Sequence, residues 1–321
     1  MRTKAELERA IRSGGRAVLI VNTRSRRGRR LFATARRRLA GGVSLAAVFP
    51  VPDPAELGSV FRTALELRPD LVVVGGGDGT LKEAVGHLVH RDVALGVLPL
   101  GTTNNFARSL GLPPRLTGAA GVIRRGKVAD VDAGLVRRDA GAVPDAEALA
   151  GEVFANMVSL GMSVAVAERA PAGLKRIVGR TAYALTALHR MPVHQPFRAT
   201  VRTAYDTLDF VTHQLNIANG AHHSGRPIAR DAGPDDRRLA IYRLGDESRH
   251  RLAGATLRHM FAGHRRSLDE AAFITTREVR VETDPPMPVD VDGEIRGRTP
   301  VTVTLLPNAL RVMVPLDFRD T

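Results

Sequence analysis

Residues 71–83 read LVVVGGGDGTLKE. A short apolar run ended by glycines reads as a buried strand, and glycine lets the backbone turn where a Cβ would clash. Helical spacing follows at once. Leu81, Ala84, Val85, Leu88 and Val89 make one apolar face, with Thr80 the expected N-cap and Glu83 completing a capping box. The stretch therefore dictates strand, sharp turn, helix. Backbone N–H groups in such a turn can approach a ligand closely, and the helix N-terminus adds partial positive charge that suits phosphate. An acid at the centre would repel a bare phosphate. Asp78 then has three readings: it holds a divalent cation, organises the loop, or accepts a proton. A plain βα turn with Asp78 bonded to backbone is the fourth.

The surroundings repeat the pattern. Residues 16–22 (RAVLIVN) and 94–99 (ALGVLP) read as strands and 55–67 as a helix. This alternation predicts an α/β domain, with a parallel sheet wrapped by helices. A second loop, PLGTTNNFARSLGLP (99–113), places Thr102, Thr103, Asn104 and Asn105 beside Gly101. Two polar, glycine-containing loops at the ends of neighbouring parallel strands point to one crevice, where open α/β sheets bind ligands.

From residue 128 the period changes to two: VADVDAGLV, EVFANMVSL, FRATVRTAY, FVTHQLNIA, REVRVET, TPVTVTLL and ALRVMVP. These strands predict an antiparallel β-sandwich. Residues 138–150 read as a surface loop and 173–191 as a basic amphipathic helix. The expected domains are 1–127 and 128–321, the last segment being able to return to the first domain.

The 321 residues carry 47 Lys and Arg against 33 Asp and Glu, a formal net charge of +14. Such a surface favours polyanions: nucleic acid, anionic lipid or polyphosphate. Aromatics at 4% argue against a base-stacking platform, so no nucleic-acid partner is expected. Without cysteine, disulfides and thiolate chemistry are excluded. No apolar run approaches the roughly 20 residues that span a bilayer, and the N-terminal residues lack a signal-peptide core, so a cytoplasmic location is expected. Eight arginines fall within 24–38, as a solvated helix face, a phosphate-gripping loop or a membrane-surface patch. Other motifs fit poorly. A dinucleotide fingerprint starting at Gly75 would need glycine at Thr80. The P-loop near-match ending in Gly126-Lys127 has Val128 where a hydroxyl is needed, and Gly126 reads as a helix C-cap. His222-His223 is a weak metal candidate.

GGGDGT, then PLGTTNNFAR about 20 residues later, then VDGE near the end of the chain resembles the diacylglycerol kinase catalytic family. The nearest likeness is to its bacterial soluble lipid kinases. VNTRS, DVDAGLV, FANMVSLGMSV, NIANG and LPNALRVMVP fall at matching positions in the same order, so the resemblance covers nearly the whole chain.

The resemblance implies an ATP- and Mg²⁺-dependent phosphotransferase. Its lipid substrate is an alcohol in an anionic membrane that the enzyme meets peripherally, and homodimers occur in the family. By position, Asn22, Thr23, Arg24, Ser25 and Arg26 would lie along the nucleotide. Gly76, Gly77, Asp78, Gly79, Thr80, Leu81 and Lys82 would wrap its phosphates, with Thr102 and Asn104 beside them. Glu294 would be the proton acceptor, with Asp292 close by and Asp78 orienting metal or loop. A structural Mg²⁺ would take Asp236 and carbonyls at Gly233 and Arg238. The chain also departs from the family. Asn-Pro-x-Ser-Gly is Asn22-Thr-Arg-Ser-Arg26, Gly-Thr-x-Asn-Asp ends in Asn105, and Asp-Gly at the metal position is Asp236-Arg237. Two alternatives stay open: an NAD kinase-like enzyme with a soluble substrate, and a nucleotide- or lipid-binding relative without activity.

Overall fold

The structure, a computed structural model, describes residues 1–138, 151–162, 164, 195–220, 222–223, 226–227, 233–244 and 274–320. The loop read over 138–150 beyond Arg138 and the basic helix at 173–191 lie outside the described residues. The chain divides into two compact units, Met1–Ala133, Pro234–Asp236 and Leu306–Thr321 against Gly134–Gly233 and Arg237–Leu305.

The first unit alternates helix and strand: α1 (Lys4–Arg12), β1 (Arg16–Asn22), α2 (Arg26–Ala40), β2 (Ser44–Val51), α3 (Leu57–Glu66), β3 (Leu71–Gly76), α4 (Asp78–Leu88), β4 (Ala94–Pro99), α5 (Asn105–Ser109) and α6 (Leu116–Arg125). Strand β5 (Lys127–Arg138) leaves this unit, and the second half of β18 (Val301–Val314) belongs to it. The sheet order is β2-β1-β3-β4-β18, and every one of these pairings is parallel. Strands β3 and β4 are buried at every residue, as continuous apolar runs require in a parallel sheet covered on both faces. One face packs Leu19, Val21, Leu71, Val73 and Leu98 against Leu7, Ile11, Ala35, Leu39, Ala119 and Ile123 from α1, α2 and α6. Helix α4 packs on β3, and α3 on α4, where the Phe61 ring stacks on His87 at 5.4 Å.

Strand β1 lies between β2 and β3. The chain leaves β1 through α2 to β2, then crosses by α3 to β3, so the strand order reverses here. A crevice opens outside the carboxyl ends of strands at such a switch point. The helix after the glycines starts earlier than its sequence predicts. Gly77 is the N-cap of α4, with no side-chain cap bond, and Thr80 is already in the first turn. Thr80 cannot cap because its hydroxyl faces back to β1, and Glu83 pairs with His87 at 3.2 Å instead of closing a capping box. Gly126 does cap α6.

The second unit adds β6 (Glu152–Phe154), β7 (Met157–Gly161), β8 (Phe197–Arg202), β9 (Thr207–Thr212), β10 (Gln214–Ala218), β11 (His222–His223), β12 (Arg226–Pro227), β13 (Leu239–Leu244), β14 (Ile274–Thr276), β15 (Glu278–Asp284), β16 (Pro288–Val291) and β17 (Glu294–Arg298). The first half of β18, β15, β8 and β9 pair in that order, and β14-β13-β10-β7-β16-β17 form a second sheet. All these pairings are antiparallel. Val201, Val281 and Val303 of one sheet meet Leu160, Leu215, Ile241 and Val289 of the other in one core, so the two sheets make a sandwich. TPVTVTLL and ALRVMVP, which read as separate strands, are one strand, β18. It carries Pro307 and Asn308 (φ 52°) in its middle, and the Asn308 N–H donates to Asp132 Oδ1 (2.8 Å).

At the amino ends of the first unit's strands, Arg2 bonds Asp70 (2.6 Å) and Asp92 (2.8 Å), and Arg311 bonds Asp92 (2.7 Å) and the Arg2 carbonyl. Residue 2 is thereby tied to β18 across almost the whole sequence. Burial raises the Asp92 carboxyl, but Arg2 and Arg311 outweigh it and hold it below its ordinary value. A depressed carboxyl contributes stability above its unfolded pKa and loses it as pH falls through the folded one. Asp92→Asn should cost no more than about 1 kcal/mol, since the pair is solvent-screened. In thermal melts the gap from the parent should be constant above the ordinary carboxylate range, roughly pH 5 and up, and shrink progressively as pH falls below that range. A gap that persists at low pH would mean the residue acts by packing.

Candidate nucleotide site

Three loops meet at the carboxyl ends of β1, β3 and β4, all in the first unit. Asn22 ends β1. Its Nδ2 donates to Thr80 Oγ1 (3.1 Å) and its Oδ1 accepts from the Arg24 N–H (3.1 Å), which latches the first loop to α4. The Ser25 hydroxyl caps α2 by accepting from the Gly28 N–H (2.9 Å), and the Thr23 N–H donates to the Val51 carbonyl (2.8 Å). Arg24 and Arg26 are exposed, Arg24 lying 4.0 Å from Asp53.

The second and third loops touch through bare backbone. A Cβ on Gly101 would sit 2.4 Å from the Cα of Gly77, a distance no real contact tolerates. The Gly101 N–H also donates to the Gly76 carbonyl (3.1 Å) and to Asn104 Oδ1 (2.9 Å), and Asn104 Nδ2 returns to the Gly101 carbonyl (2.9 Å). Asn104 holds a left-handed backbone (φ 51°) and is buried. Asp78 completes the join. Its Oδ1 accepts from the Phe106 N–H (3.4 Å), and the backbone N–H groups of Asn105 and Asn104 also bond its carboxylate. Burial pushes the Asp78 carboxyl above its ordinary value, against those N–H groups and the charge of Arg108. These backbone bonds are common to two of the readings of the sequence, a loop organiser and a plain turn with Asp78 bonded to backbone.

Gly79 is exposed, with nothing within 4 Å of where a Cβ would stand. The first N–H groups of α2 and α4 face out of their helix ends beside it, as those of any helix do. The loops thus offer amides and two helix N-termini, and Arg24, Arg26 and Thr102 are exposed in the segments that carry them. That chemistry fits a polyphosphate. Leu81 is different: its side chain is wholly buried and its N–H donates to the Gly77 carbonyl (3.1 Å). Lys82 is also buried.

The acidic residues of VDGE lie in the second unit. Asp292 (φ 51°) and Gly293 (φ 95°) form the tight turn between β16 and β17, both in the left-handed region a two-residue hairpin of this hand requires. The Asp292 carboxylate accepts three backbone N–H groups, from Ala155 (2.7 Å), Asn156 (3.0 Å) and Met157 (2.9 Å). Its oxygens organise the turn between β6 and β7. Glu294 begins β17, is exposed and accepts from Arg296 (2.6 Å), which also lies 3.2 Å from Glu152.

Asp236 is half-buried in the turn after Gly233 and Pro234, and the next residue, Arg237, holds φ 58° where the family has glycine. Among the described residues no three of His, Cys, Asp and Glu converge. Two adjacent carboxylates, the buried Asp235 and the half-buried Asp236, precede the exposed Arg237 and Arg238 in this turn.

A parallel sheet with polar, glycine-containing loops at its switch point, joined in one chain to an antiparallel sandwich, defines a two-part α/β and β-sandwich architecture. Residues 16–136 match the diacylglycerol kinase catalytic domain, and residues 156–314 match the YegS C-terminal NAD kinase beta sandwich-like domain. The chain belongs to the diacylglycerol kinase catalytic-domain family. It is 28% identical to a diacylglycerol kinase of Staphylococcus epidermidis over 259 residues, 79% of this chain and 77% of that protein. Its fold matches the crystal structure of a diacylglycerol kinase from Bacillus anthracis (TM-score 0.74, 21% identity, 94% of this chain and 97% of that one). Yeast NADH kinase complexed with NADH matches at a TM-score of 0.52 and 9% identity, over 93% of this chain and 82% of that one.

The sequence did not disclose the Gly77–Gly101 contact, the Asn22–Thr80 latch or the Asp292 cap. The one local signal was Asn104, since asparagine tolerates a left-handed backbone. Two alanine substitutions separate fold from site. Gly101→Ala forces two strand ends apart and should destabilise by about 2 kcal/mol or more. Gly79→Ala meets open space and should leave the thermal midpoint unchanged or slightly raised, as alanine favours a helix. If the amides of 77–80 hold phosphate, Gly79→Ala should weaken ATP binding about tenfold by calorimetry. Unchanged affinity would remove Gly79 from the site.

Proposed function

We propose that this protein is an ATP-dependent kinase of a lipid alcohol, transferring the γ-phosphoryl group to a hydroxyl of diacylglycerol or a related lipid. The observation that carries the reading is the latching of three polar loops at one sheet switch point, in a chain of this family. Phosphoryl transfer depends on positioning and charge neutralisation, with little covalent work for the protein. The N–H groups of Gly77, Asp78 and Gly79 would cradle phosphates. Asn22, Thr23 and Ser25 would border the nucleotide, with Arg24, Arg26 and Thr102 at the rim. Asp78 and Asn104 would hold the second and third loops in register. Mg²⁺ bound to ATP would neutralise phosphate charge.

Two acids of VDGE divide the remaining roles. Glu294 would take the substrate's proton, and Asp292, engaged by three N–H groups, would fix the hairpin that carries it. Its two oxygens are already engaged by those three N–H groups, which suits a positioning role. The lipid lies in a membrane. No helix among the described residues is long and apolar enough to cross one. The enzyme would therefore meet its substrate peripherally, from the cytoplasm.

γ-Labelled ATP incubated with mixed bacterial lipids should put label in the lipid extract. Label in NADP would support the NAD kinase-like alternative, and ATP binding without turnover the inactive one. Glu294→Gln should lower transfer about 10²–10⁴-fold, the worth of a positioned base, with ATP affinity and melting unchanged. Asp292→Ala should instead unfold the sandwich more easily, by about 3 kcal/mol or more, since three backbone donors lose their acceptor. Full activity in Glu294→Gln would refute its role.

A further inference from the structure

Helix α2 has the sequence RRGRRLFATARRRLA, with seven arginines and no acid. Half of the chain's formal net charge of +14 therefore matches the charge of one 15-residue helix. Its buried seam is narrow and made of Gly28, Ala35 and Leu39, which pack toward β1 and α6. At 100° per residue, Arg26, Arg30 and Arg37 run along the line opposite that seam, with Arg29 and Arg36 on one flank and Arg27 and Arg38 on the other. All seven are exposed. Arg27 donates to the Pro114 carbonyl (3.3 Å), and among the described residues no carboxylate pairs with any of the seven. Arg115, Arg124 and Arg125 of the neighbouring α6 region are exposed too.

The arrangement opposes folding. Like charges at i, i+3 and i, i+4 (Arg26 with Arg29 and Arg30, Arg27 with Arg30) repel, and cations in the first turn oppose the helix dipole. No large apolar side chain stands on the exposed arc, so it cannot insert into hydrocarbon. No aromatic ring stands on it to stack on a base. A rigid cationic ridge about 22 Å long fits a flat, dense layer of fixed negative charge.

We propose that the outer arc of α2 is the docking surface for an anionic bilayer, held by charge alone. The lipid-kinase reading supplies the reason to visit a bilayer, but the ridge itself is independent of catalysis. Arg30, Arg36 and Arg37 carry the binding and stand outside the candidate nucleotide loops. Docking is electrostatic, so it weakens steeply with ionic strength.

The full chain should co-sediment with vesicles of phosphatidylcholine and phosphatidylglycerol and not with phosphatidylcholine alone. Arg30→Ala/Arg36→Ala/Arg37→Ala should lower the partition coefficient about 100-fold at low salt, each residue near an anionic surface contributing about a factor of five. Replacing the same three by lysine should keep most of the binding. The melting temperature of both variants should equal or exceed the parent's. Vesicle binding unchanged in the triple alanine variant overturns the proposal. So does a preference for duplex DNA over anionic vesicles at equal salt, which would make the ridge a nucleic-acid surface. Failure here leaves the kinase reading standing if label still enters lipid in detergent micelles, and loss of that label with vesicle binding intact sinks the kinase reading alone.

Discussion

The candidate site rests on two backbones that touch. Strands β3 and β4 are parallel neighbours, so the chains leaving their carboxyl ends emerge about 4.8 Å apart. Side chains at both exits would force the loops to splay. With Gly77 and Gly101 the Cα atoms pack directly, and the Gly76 carbonyl can accept from both the Leu100 and Gly101 N–H groups. That contact brings Asp78 within reach of the start of α5. Two loops that leave separate strands then behave as one surface, with the exposed Gly79 on it.

Acids in this chain do two kinds of work. Asp78, Asp292 and Asp132 each bind backbone N–H groups of segments distant in sequence: residues 104–106, 155–157 and 308. A short carboxylate with two oxygens can gather several donors that have no ladder partner, which a loop otherwise leaves to water. Each of the three fixes a place where the chain changes direction or element. Glu294 stands apart because it is longer, exposed and bonded to a side chain, Arg296, which also reaches Glu152. The proton-acceptor role proposed for it would need that exposure, and holding a turn does not.

The parallel sheet was legible because its strands are continuous apolar runs. The sandwich was legible because residues such as those of β8 alternate strictly between core and solvent. Legibility failed wherever a residue's partner is remote in sequence. Thr80 has every local mark of an N-cap, yet its hydroxyl is claimed by Asn22, 58 positions away. TPVTVTLL and ALRVMVP read as two strands, yet β18 runs through both, with Asp132 accepting from the Asn308 N–H between them. Capping and turn preferences are about 1 kcal/mol effects, so one well-placed tertiary bond reverses them. The family motifs located the loops correctly without showing which atoms hold them, since a motif records residue types and spacing while contact is set by the sheet order.

Helix α2 shows how one element can serve two ends without conflict. Its first turn sits at the switch point, where Ser25 takes the Gly28 N–H and leaves the amides ahead of it directed at the crevice. Its seam to the sheet uses glycine, alanine and leucine, so the helix lies close against β1 and needs only a narrow face for packing. Leu31 and Phe32 pack against the core beside that seam, and the arc left to solvent carries all seven arginines. Positive potential from that arc adds to the helix terminus at the crevice, because both act over about one Debye length. A polyphosphate approaching the crevice and an anionic surface approaching the arc feel the same field. As proposed, the two would draw mainly on different residues, the first loop for the nucleotide and Arg30, Arg36 and Arg37, one to three turns along α2, for the anionic surface. They would share their salt dependence and, at the first turn, Arg26.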